Sequence, residues 1–242
     1  VGSRTPTPYG TEAAALLAQA LARAGTTLWS GLARGIDAIA HGACTTAGVP
    51  TVAVLAGGLD AIYPPEHEDL AARIVEGGGC LVSELPPGHR ARRGHFVRRN
   101  RILAAGTGAV VVIEGSLTSG ALHTARFAAD CDACVFALPG PWTSARSQGC
   151  HRLIAEGATI LESPEALLQS LGLAAATPAA AHAMALCADE ERLLAVLVGG
   201  PRPTDLLARE CGLDRVAFLR SLFALEQKGA IARLPGDLWR RA

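Results

Sequence analysis

Apolar runs that alternate with amphipathic helices are the feature that most constrains the fold of this chain. Residues 51–56, 109–113 and 134–138 are each almost continuously apolar and rich in Val, Ile, Leu or Ala. Strands of this kind are buried on both faces, which is typical of a parallel sheet covered by helices on both sides. The sequence therefore predicts an α/β fold, a Rossmann-like doubly wound, mainly parallel sheet, with ligands at the carboxyl ends of its strands.

A glycine turn follows the strand that the sequence predicts at residues 27–29. Ser30 ends this strand, Gly31 and Gly35 follow, and Ile36 begins a helical pattern. Glycines let a ligand approach the backbone closely, and the first amides of a helix are unpaired and partly positive. A phosphate or another anion is the natural partner of such a turn, although many α/β proteins make the same turn only for packing.

Small residues, hydroxyls and glycines also follow the other predicted strands. Such residues are suited to donating hydrogen bonds to an anionic backbone. In chain order, the residues after the predicted strands, most of which are of these kinds, are Gly2, Ser3 and Arg4; Ser30 to Asp37; Gly57 and Gly58; Ser83 and Glu84; Glu114, Ser119, Gly120 and Thr124; and Pro139 and Gly140.

An arginine-rich stretch, residues 88–101, is the second informative segment. It contains no acid, two histidines and six arginines, with Phe96 and Asn100 interleaved among them. A solvated basic loop is the simpler interpretation. However, arginines contact phosphates, an aromatic ring can stack on a base, and asparagine can read a base edge. The sequence therefore favours contact with nucleic acid along this stretch.

Charge and hydropathy narrow the class of protein further. The formal net charge is zero, so any affinity for nucleic acid must come from local patches. No apolar run approaches the ~18 residues of a membrane helix, and no signal peptide is visible. Seven cysteines, an odd number, argue against a disulfide framework and for a reducing cytoplasm. The chain opens at Gly2-Ser3-Arg4 as if leaving a strand, so we expect part of the natural N-terminus to precede it.

Few residues indicate catalysis. Asp37 and His41 lie one helical turn apart, yet a helix cap and a packed ring are the commoner roles of such residues. The chain has no Walker loop, no Ser/His/Asp order and no metal triad. Cys131 and Cys134 form a lone CxxC, for which we expect two packed thiols and not a zinc or redox site. No cofactor or metal is therefore predicted.

Composition divides the chain into two domains. Residues 1–172 hold the α/β pattern, residues 173–187 are an Ala-rich linker, and residues 188–242 predict three helices and a hairpin, which together make a winged helix. The outer face of its third helix offers Arg215, Arg220 and Lys228. We expect Val216, Phe218, Leu219, Leu222 and Phe223 to be mostly core. Duplex DNA and another protein are equally good partners for this face.

The motifs in residues 1–160 follow, in order, the signature of the DNA-processing protein A (DprA/Smf) family, and the C-terminal part is similar to that family's winged helix. The matching motifs are Gly2-Ser3-Arg4; Ser30-Gly-Leu-Ala-Arg-Gly-Ile-Asp37 with His41; Tyr63-Pro64; Ser83-Glu84; Phe96-x-x-Arg-Asn-Arg101; Glu114 with Ser119-Gly120 and Thr124-Ala125; Pro139-Gly140; and Gly149-Cys150 with Leu153-Ile154.

This resemblance implies a bacterial cytoplasmic protein that binds single-stranded DNA. It further implies protection of the incoming strand in natural transformation, loading of the RecA recombinase, a homodimer through the Rossmann domain, and no catalytic turnover. The family's DNA pocket would include Arg4, Ser30, Gly31, Ala33, Gly35, Asp37, Asn100, Arg101, Ser119, Gly120 and Thr124. Gly2, Ser3, Phe96 and Arg99 complete our predicted site.

The chain departs from the family pattern at two positions. Thr118 stands where a Lys or Arg commonly precedes the Ser-Gly pair, which removes one expected phosphate contact, and His151 stands where Asn is usual. An alternative is a nucleotide hydrolase of the lysine-decarboxylase-like group. That group needs a Pro-Gly-Gly-x-Gly-Thr-x-x-Glu run, whereas Pro139-Gly140 is followed here by Pro-Trp-Thr. A winged-helix transcription factor with a ligand-sensing Rossmann domain is a third hypothesis.

Overall fold

The computed structural model describes residues 1–173, 187–227, 230–234 and 237–241. The chain divides into two compact units, Val1–Thr177 and Pro178–Ala242. The predicted linker lies almost entirely outside the described residues. Each unit is described below by itself.

The first unit contains two three-stranded parallel sheets. In one sheet the order is β1 (Leu28–Ser30), β2 (Thr51–Val54) and β3 (Cys80–Val82); in the other it is β4 (Ala109–Val112), β5 (Cys134–Ala137) and β6 (Thr159–Ile160). The Val1 nitrogen donates to the Val111 carbonyl at 2.9 Å, and the Val1 carbonyl accepts from the Ile113 amide at 3.1 Å. Val1 therefore lies along β4 as a parallel strand would, which agrees with the strand exit predicted at Gly2.

Seven α-helices pack with these sheets among the described residues of the first unit. They are α1 (Pro8–Arg23), α2 (Ile36–Thr46), α3 (Glu68–Glu76), α4 (Arg93–Ala105), α5 (Gly120–Asp130), α6 (Gln148–Ala155) and α7 (Pro164–Ser170), with a short 3₁₀ turn at Pro65–His67. The hydroxyls of Thr7, Ser119 and Ser163 accept amide hydrogens from the first turns of α1, α5 and α7, and the sequence predicts the cap at Ser119. The α/β prediction is confirmed.

The hydrophobic core explains why these strands are so apolar. All four residues of β2 are buried, and Val110 and Val112 of β4 pack with Ala125 and Ala128 of α5. A strand that is covered on both faces leaves only its two ends for polar chemistry. Polar functional residues of this unit are therefore expected at the ends of the strands and not along them.

Helix α4 begins earlier than the sequence suggests. The predicted helix covers about residues 98–105, whereas α4 spans Arg93–Ala105. Part of the arginine-rich stretch is therefore helical. The segment around Gly94 and His95 lacks the apolar period of a helix, so local pattern gave no reason to extend it.

The second unit has the elements of a winged helix. Its helices are α8 (Ala188–Val196), α9 (Thr204–Glu210) and α10 (Arg215–Gln227), and β7 (Arg202–Pro203), β8 (Ile231–Leu234) and β9 (Leu238–Arg241) form an antiparallel sheet in the order β7-β9-β8. The carboxylate of Asp214 accepts the amides of Val216 and Ala217 and so caps the start of α10. The predicted helix end at Lys228-Gly229 and the turn at Pro235-Gly236 lie outside the described residues.

The outer face of α10 differs from the prediction. Phe218 and Leu222 are buried, but Val216, Leu219 and Phe223 are 72%, 40% and 61% exposed. The expectation that these five residues are mostly core is therefore wrong for three of them. A helix packed on one side buries only one stripe of its surface, and α10 carries more apolar residues than that stripe holds.

Three further observations concern cysteines, metal ligands and membrane helices. Cys131 and Cys134 are both exposed free thiols, so the expectation that they are packed is wrong. Among the residues that the structure describes, no three His, Cys, Asp or Glu side chains group as metal ligands do. Within the same ranges, each helix is too short or too polar to cross a bilayer.

Candidate nucleic-acid interface

A cavity of about 880 Å³ lies at the carboxyl ends of the strands in the first unit. Its wall comes from Val1 to Thr5, from the loop and first turn after β4, from α4, and from Arg146 after β5. Arg4, Arg93, Arg99 and Arg146 line it, and Asp37 is the one acidic side chain among the lining residues that the structure describes. The lining therefore favours an anion.

Backbone amides of the loop between β1 and α2 already have hydrogen-bond acceptors within the protein. The carboxylate of Asp37 accepts the amides of Gly31 at 3.1 Å and Ala33 at 3.4 Å, and the Ser3 carbonyl accepts the Ile36 amide at 3.1 Å. The expectation that the amides at this turn are unpaired is wrong for these three. Asp37 and the Ser3 carbonyl therefore already use these amides, which are not free for a phosphate.

Gly35 fixes the position of Arg4. Its φ is 74° and its ψ is −125°, a region that side chains disfavour. A Cβ at this position would also collide with the backbone of Ser3 and Arg4. Only glycine allows the start of α2 to hold the strand exit this closely, so the turn positions Arg4 at the cavity.

Arg99 is a buried cation below the cavity. It is 6% exposed, and its guanidinium donates to the carbonyls of Gly31, at 2.7 Å, and Val54. Burial lowers its pKa. A Cβ at Gly31 would occupy the space of this guanidinium, so the glycine leaves room for the Arg99 side chain beside the turn. Arg99 thus joins two strand ends to α4 and contributes positive charge to the base of the site.

An aromatic pair forms part of the cavity wall. The guanidinium carbon of Arg4 lies 5.3 Å from the centre of the Phe96 ring, which is within range of a cation–π interaction. The rings of Tyr63 and Phe96 meet edge to face, with centroids 5.5 Å apart. A cation stacked on a ring is therefore part of the cavity wall, and the two groups together suit a ligand with both phosphates and bases.

The start of α5 provides the second backbone surface of the cavity. The Ser119 hydroxyl accepts the Ala121 amide at 3.3 Å, and the Asn100 side-chain amide donates to the Gly120 carbonyl at 3.3 Å. Thr124, one turn further along, is buried and lines the cavity floor. Helix α5 has eleven residues, so its N-terminal dipole adds to the positive charge of the arginines.

Glu114 anchors the segment that carries Arg4. It is 3% exposed at the end of β4, and its carboxylate accepts both the amide and the hydroxyl of Thr7. Thr7 in turn caps α1. The residues between Arg4 and α1 are therefore tied to the same strand end that leads into the Ser119 loop.

His41 packs in the interior whereas Asp37 lines the cavity, so the suggested catalytic pair does not meet there. Its Nδ1 lies 2.9 Å from the Thr51 hydroxyl, and burial lowers its pKa to about 4. Asp37 is engaged by the loop amides. His41 Nε2 and the Ser30 hydroxyl, both buried, have no protein hydrogen-bond partner.

Most of the predicted site residues lie together. Those lining the cavity are Gly2, Ser3, Arg4, Ala33, Asp37, Phe96, Arg99, Asn100, Ser119, Gly120 and Thr124. Ser30, Gly31, Gly35 and Arg101 do not line it. Ser30 is buried, Gly31 and Gly35 shape the turn, and the guanidinium of Arg101 pairs with Glu84, as does that of Arg98. Their roles in binding stay predictions.

The sequence did not single out several cavity residues as ligands. Arg93, Arg146, Tyr63 and His123 line the cavity but were absent from the predicted site. Arg93 belongs to the arginine-rich stretch, and Tyr63 belongs to a family motif, so both carried a signal. Arg146 lies in a loop beyond Pro139-Gly140, where nothing in the local sequence indicates which way its side chain points.

A Rossmann-type unit with a cationic cavity, together with a winged-helix unit, defines a class of two-domain protein suited to anionic polymers. The sequence comparisons identify the family. Residues 1–172 match DNA recombination-mediator protein A, and residues 174–237 match the DprA winged helix domain. The chain belongs to the DNA recombination-mediator protein A family.

Two curated relatives illustrate the similarity. Protein Smf of Escherichia coli K12 is 38% identical over 244 residues, which are 98% of this chain and 65% of Smf. The putative DNA processing protein DprA of Mycobacterium tuberculosis is 39% identical over 246 residues, 99% of this chain and 63% of that protein. The chain thus spans just under two thirds of the length of these relatives.

Two solved structures are also similar. DNA processing protein A from Streptococcus pneumoniae aligns with a TM-score of 0.65 and 37% identity, over 70% of this chain and 59% of that one. DNA processing protein A from Helicobacter pylori aligns with a TM-score of 0.65 and 29% identity, over 71% and 77% of the two chains. The structure of the H. pylori protein concerns its unique single-stranded DNA binding mode.

Proposed function

We propose that this protein binds single-stranded DNA in the cavity of its first unit. The observation that carries the proposal is the meeting of three exposed arginines, Arg4, Arg93 and Arg146, with the ring of Phe96 and the start of α5. Phosphates need cations and amide donors, whereas unpaired bases need aromatic faces. Family membership and the DNA-binding H. pylori relative support the proposal.

The residues divide the task by chemistry. Arg4, Arg93 and Arg146 pair with phosphates, and Arg99 adds charge from below without leaving its carbonyl partners. Phe96 and Tyr63 offer ring faces and edges to bases. Asn100 and Thr124 supply polar groups at the floor. Phosphate contacts carry no sequence information, so we expect limited preference among sequences.

The wider role follows from the family. We propose that the protein protects incoming single strands and loads RecA onto them during natural transformation or recombination. We further propose that it acts in the cytoplasm as a homodimer through the Rossmann unit, and that its winged helix contacts duplex DNA or another protein. The family match supports these proposals. Pull-down of RecA and light scattering of the purified chain test the two partners directly.

We propose that the protein has no catalytic turnover. Asp37 and His41 are held by internal partners, and the loop after Pro139-Gly140 lacks the glutamate that the nucleotide hydrolases need. Incubation with AMP tests this alternative. Free adenine, released at a rate that scales with protein concentration, contradicts the binding-only role.

The main test is a fluorescence-anisotropy titration of labelled single-stranded and duplex oligomers of one sequence at two salt concentrations. We expect tighter binding of the single strand, which weakens steeply with salt because arginines displace counterions from phosphates. A preference for duplex would assign the leading role to the winged helix. An absence of binding to either oligomer would refute the proposal.

A further inference from the structure

Trp142 is the most exposed large apolar side chain among the residues that the structure describes, with 85% of its surface accessible. It lies in the loop between β5 and α6, residues 138–147. A single exposed apolar residue is common on protein surfaces and has no meaning by itself. Its surroundings decide whether it has a function.

The loop that carries Trp142 is fixed at the edge of the cavity. The Arg146 carbonyl accepts the Gly115 amide at 2.7 Å, and the Arg146 guanidinium donates to the Thr5 hydroxyl at 3.3 Å. The Ser144 amide donates to the Pro141 carbonyl at 3.0 Å, which closes a turn around Trp142. The indole is therefore carried on a tied loop, four residues before an arginine that lines the cavity.

A second aromatic residue lies against the same loop. Tyr9 is 46% exposed, and its hydroxyl donates to the Pro139 carbonyl at 2.9 Å. A Cβ added at Gly140 would lie 3.9 Å from the ring of Tyr9, so this ring lies close to the backbone of the loop. The loop therefore combines a cavity arginine with two accessible aromatic rings. Arg4 and Phe96 make the same combination of cation and ring inside the cavity.

We propose that Trp142 is a base-stacking subsite outside the cavity, which takes an unpaired base of the strand where the DNA passes Arg146. This inference rests on the proposed function, because the strand must occupy the cavity to reach the loop. Stacking tolerates any base, since every base has a π face, so the subsite extends the footprint without adding sequence preference. Its ligand is a nucleotide of single-stranded DNA.

Tryptophan fluorescence of the full chain tests the proposal. Trp29 is half-buried and Trp239 is 5% exposed, so Trp142 is the one freely accessible indole of the three. We expect oligothymidine to quench its emission, because stacking on a base quenches indole fluorescence. The Trp142→Phe variant should lose the quenching but keep its affinity within about threefold, because phenylalanine also stacks.

Affinity gives the second measurement. Trp142→Ala should weaken binding of an oligothymidine of about twelve nucleotides by about tenfold, and should leave one of about four nucleotides unaffected, because only the longer strand reaches the loop. Val75→Ala, at an exposed apolar position on α3, is the matched control and should behave as wild type with both oligomers. The side chain of Trp142 is on the surface, so thermal unfolding should be unchanged.

Failure of this inference differs from failure of the proposed function. If wild type binds and Arg4→Ala weakens binding, yet Trp142→Ala binds both oligomers normally and the emission does not change, the subsite is refuted alone. Emission that shifts with protein concentration in the absence of DNA also refutes it, because a second copy then covers the indole. If wild type binds no single strand, the proposed function fails.

Discussion

The cavity of the first unit and the outer face of α10 in the second unit both combine arginines with apolar side chains, but in different ways. In the cavity, Arg4 and Phe96 stand beside helix amides on a concave surface. On α10, Arg215 and Arg220 flank Val216, Leu219 and Phe223, which are exposed on a single helix. Both regions combine arginines with apolar side chains, and the cavity adds the N-terminus of α5 and a concave wall. Composition alone therefore does not identify an anion site.

The largest expected effect comes from Gly35→Ala. The new Cβ meets the backbone of Ser3 and Arg4, so we expect a loss of about 3 kcal/mol in unfolding free energy and more than tenfold weaker binding of single strands. Gly48→Ala is the matched control, since Gly48 also has a positive φ, 68°, but open space around it. It should cost about 1 kcal/mol and leave binding unchanged. If Gly35→Ala and Gly48→Ala bound single strands equally well, the Gly35 turn would not be needed to position Arg4 for binding.

Acid should weaken the first unit through His41. Its pKa is lowered from 6.5 to about 4 in the folded protein because the ring is buried. Above pH 6.5 neither state is protonated; as pH falls towards 4, only the unfolded chain takes up the proton. Stability should therefore fall by about 3 kcal/mol across this window. The measurement is urea unfolding of wild type and His41→Gln at pH 7 and pH 4.5.

The winged-helix part of the second unit sharpens this prediction, because residues 187–242 contain no histidine. The unfolding free energy reported by Trp239 fluorescence should hardly change between pH 6.5 and pH 5, whereas that of the first unit should decline. An equal decline in His41→Gln would show that another group is responsible.

Arg4→Ala should weaken single-strand binding by about tenfold for every sequence. One lost phosphate contact should also reduce the slope of log affinity against log salt by about 0.7. Arg23→Ala, an exposed arginine at the end of α1, is the control for total charge. If both variants lose the same affinity, net charge and not the cavity governs binding.

The smallest effect is expected on α10. Replacement of both Arg215 and Arg220 by alanine should change single-strand affinity by less than about twofold, because convex exposed cations without amide donors bind phosphate weakly. The same anisotropy titration measures it. A loss as large as that of Arg4→Ala would remove the distinction between the two regions.

Local patterns account for what the sequence predicted well. The buried strands and the Ser119 cap depend on residues close together in the chain, so the alternation of strands and helices and the edge that holds the cavity could be predicted. The role of Arg99 could not, because its partners Gly31 and Val54 come from two other segments. The position of the Arg146 side chain and the exposure of the apolar face of α10 could not be predicted either, because both depend on tertiary packing.

The carbonyl-bound guanidinium of Arg99 has a consequence for the kinetics of binding. A flexible surface arginine loses side-chain freedom when it grips a phosphate, at a cost of about 0.5–1.5 kcal/mol. Arg99 is already immobile before a strand arrives, and its charge is present without that loss. The cavity should therefore attract DNA with a fixed field from its base, and the exposed arginines Arg4, Arg93 and Arg146 add phosphate contacts once the strand is bound.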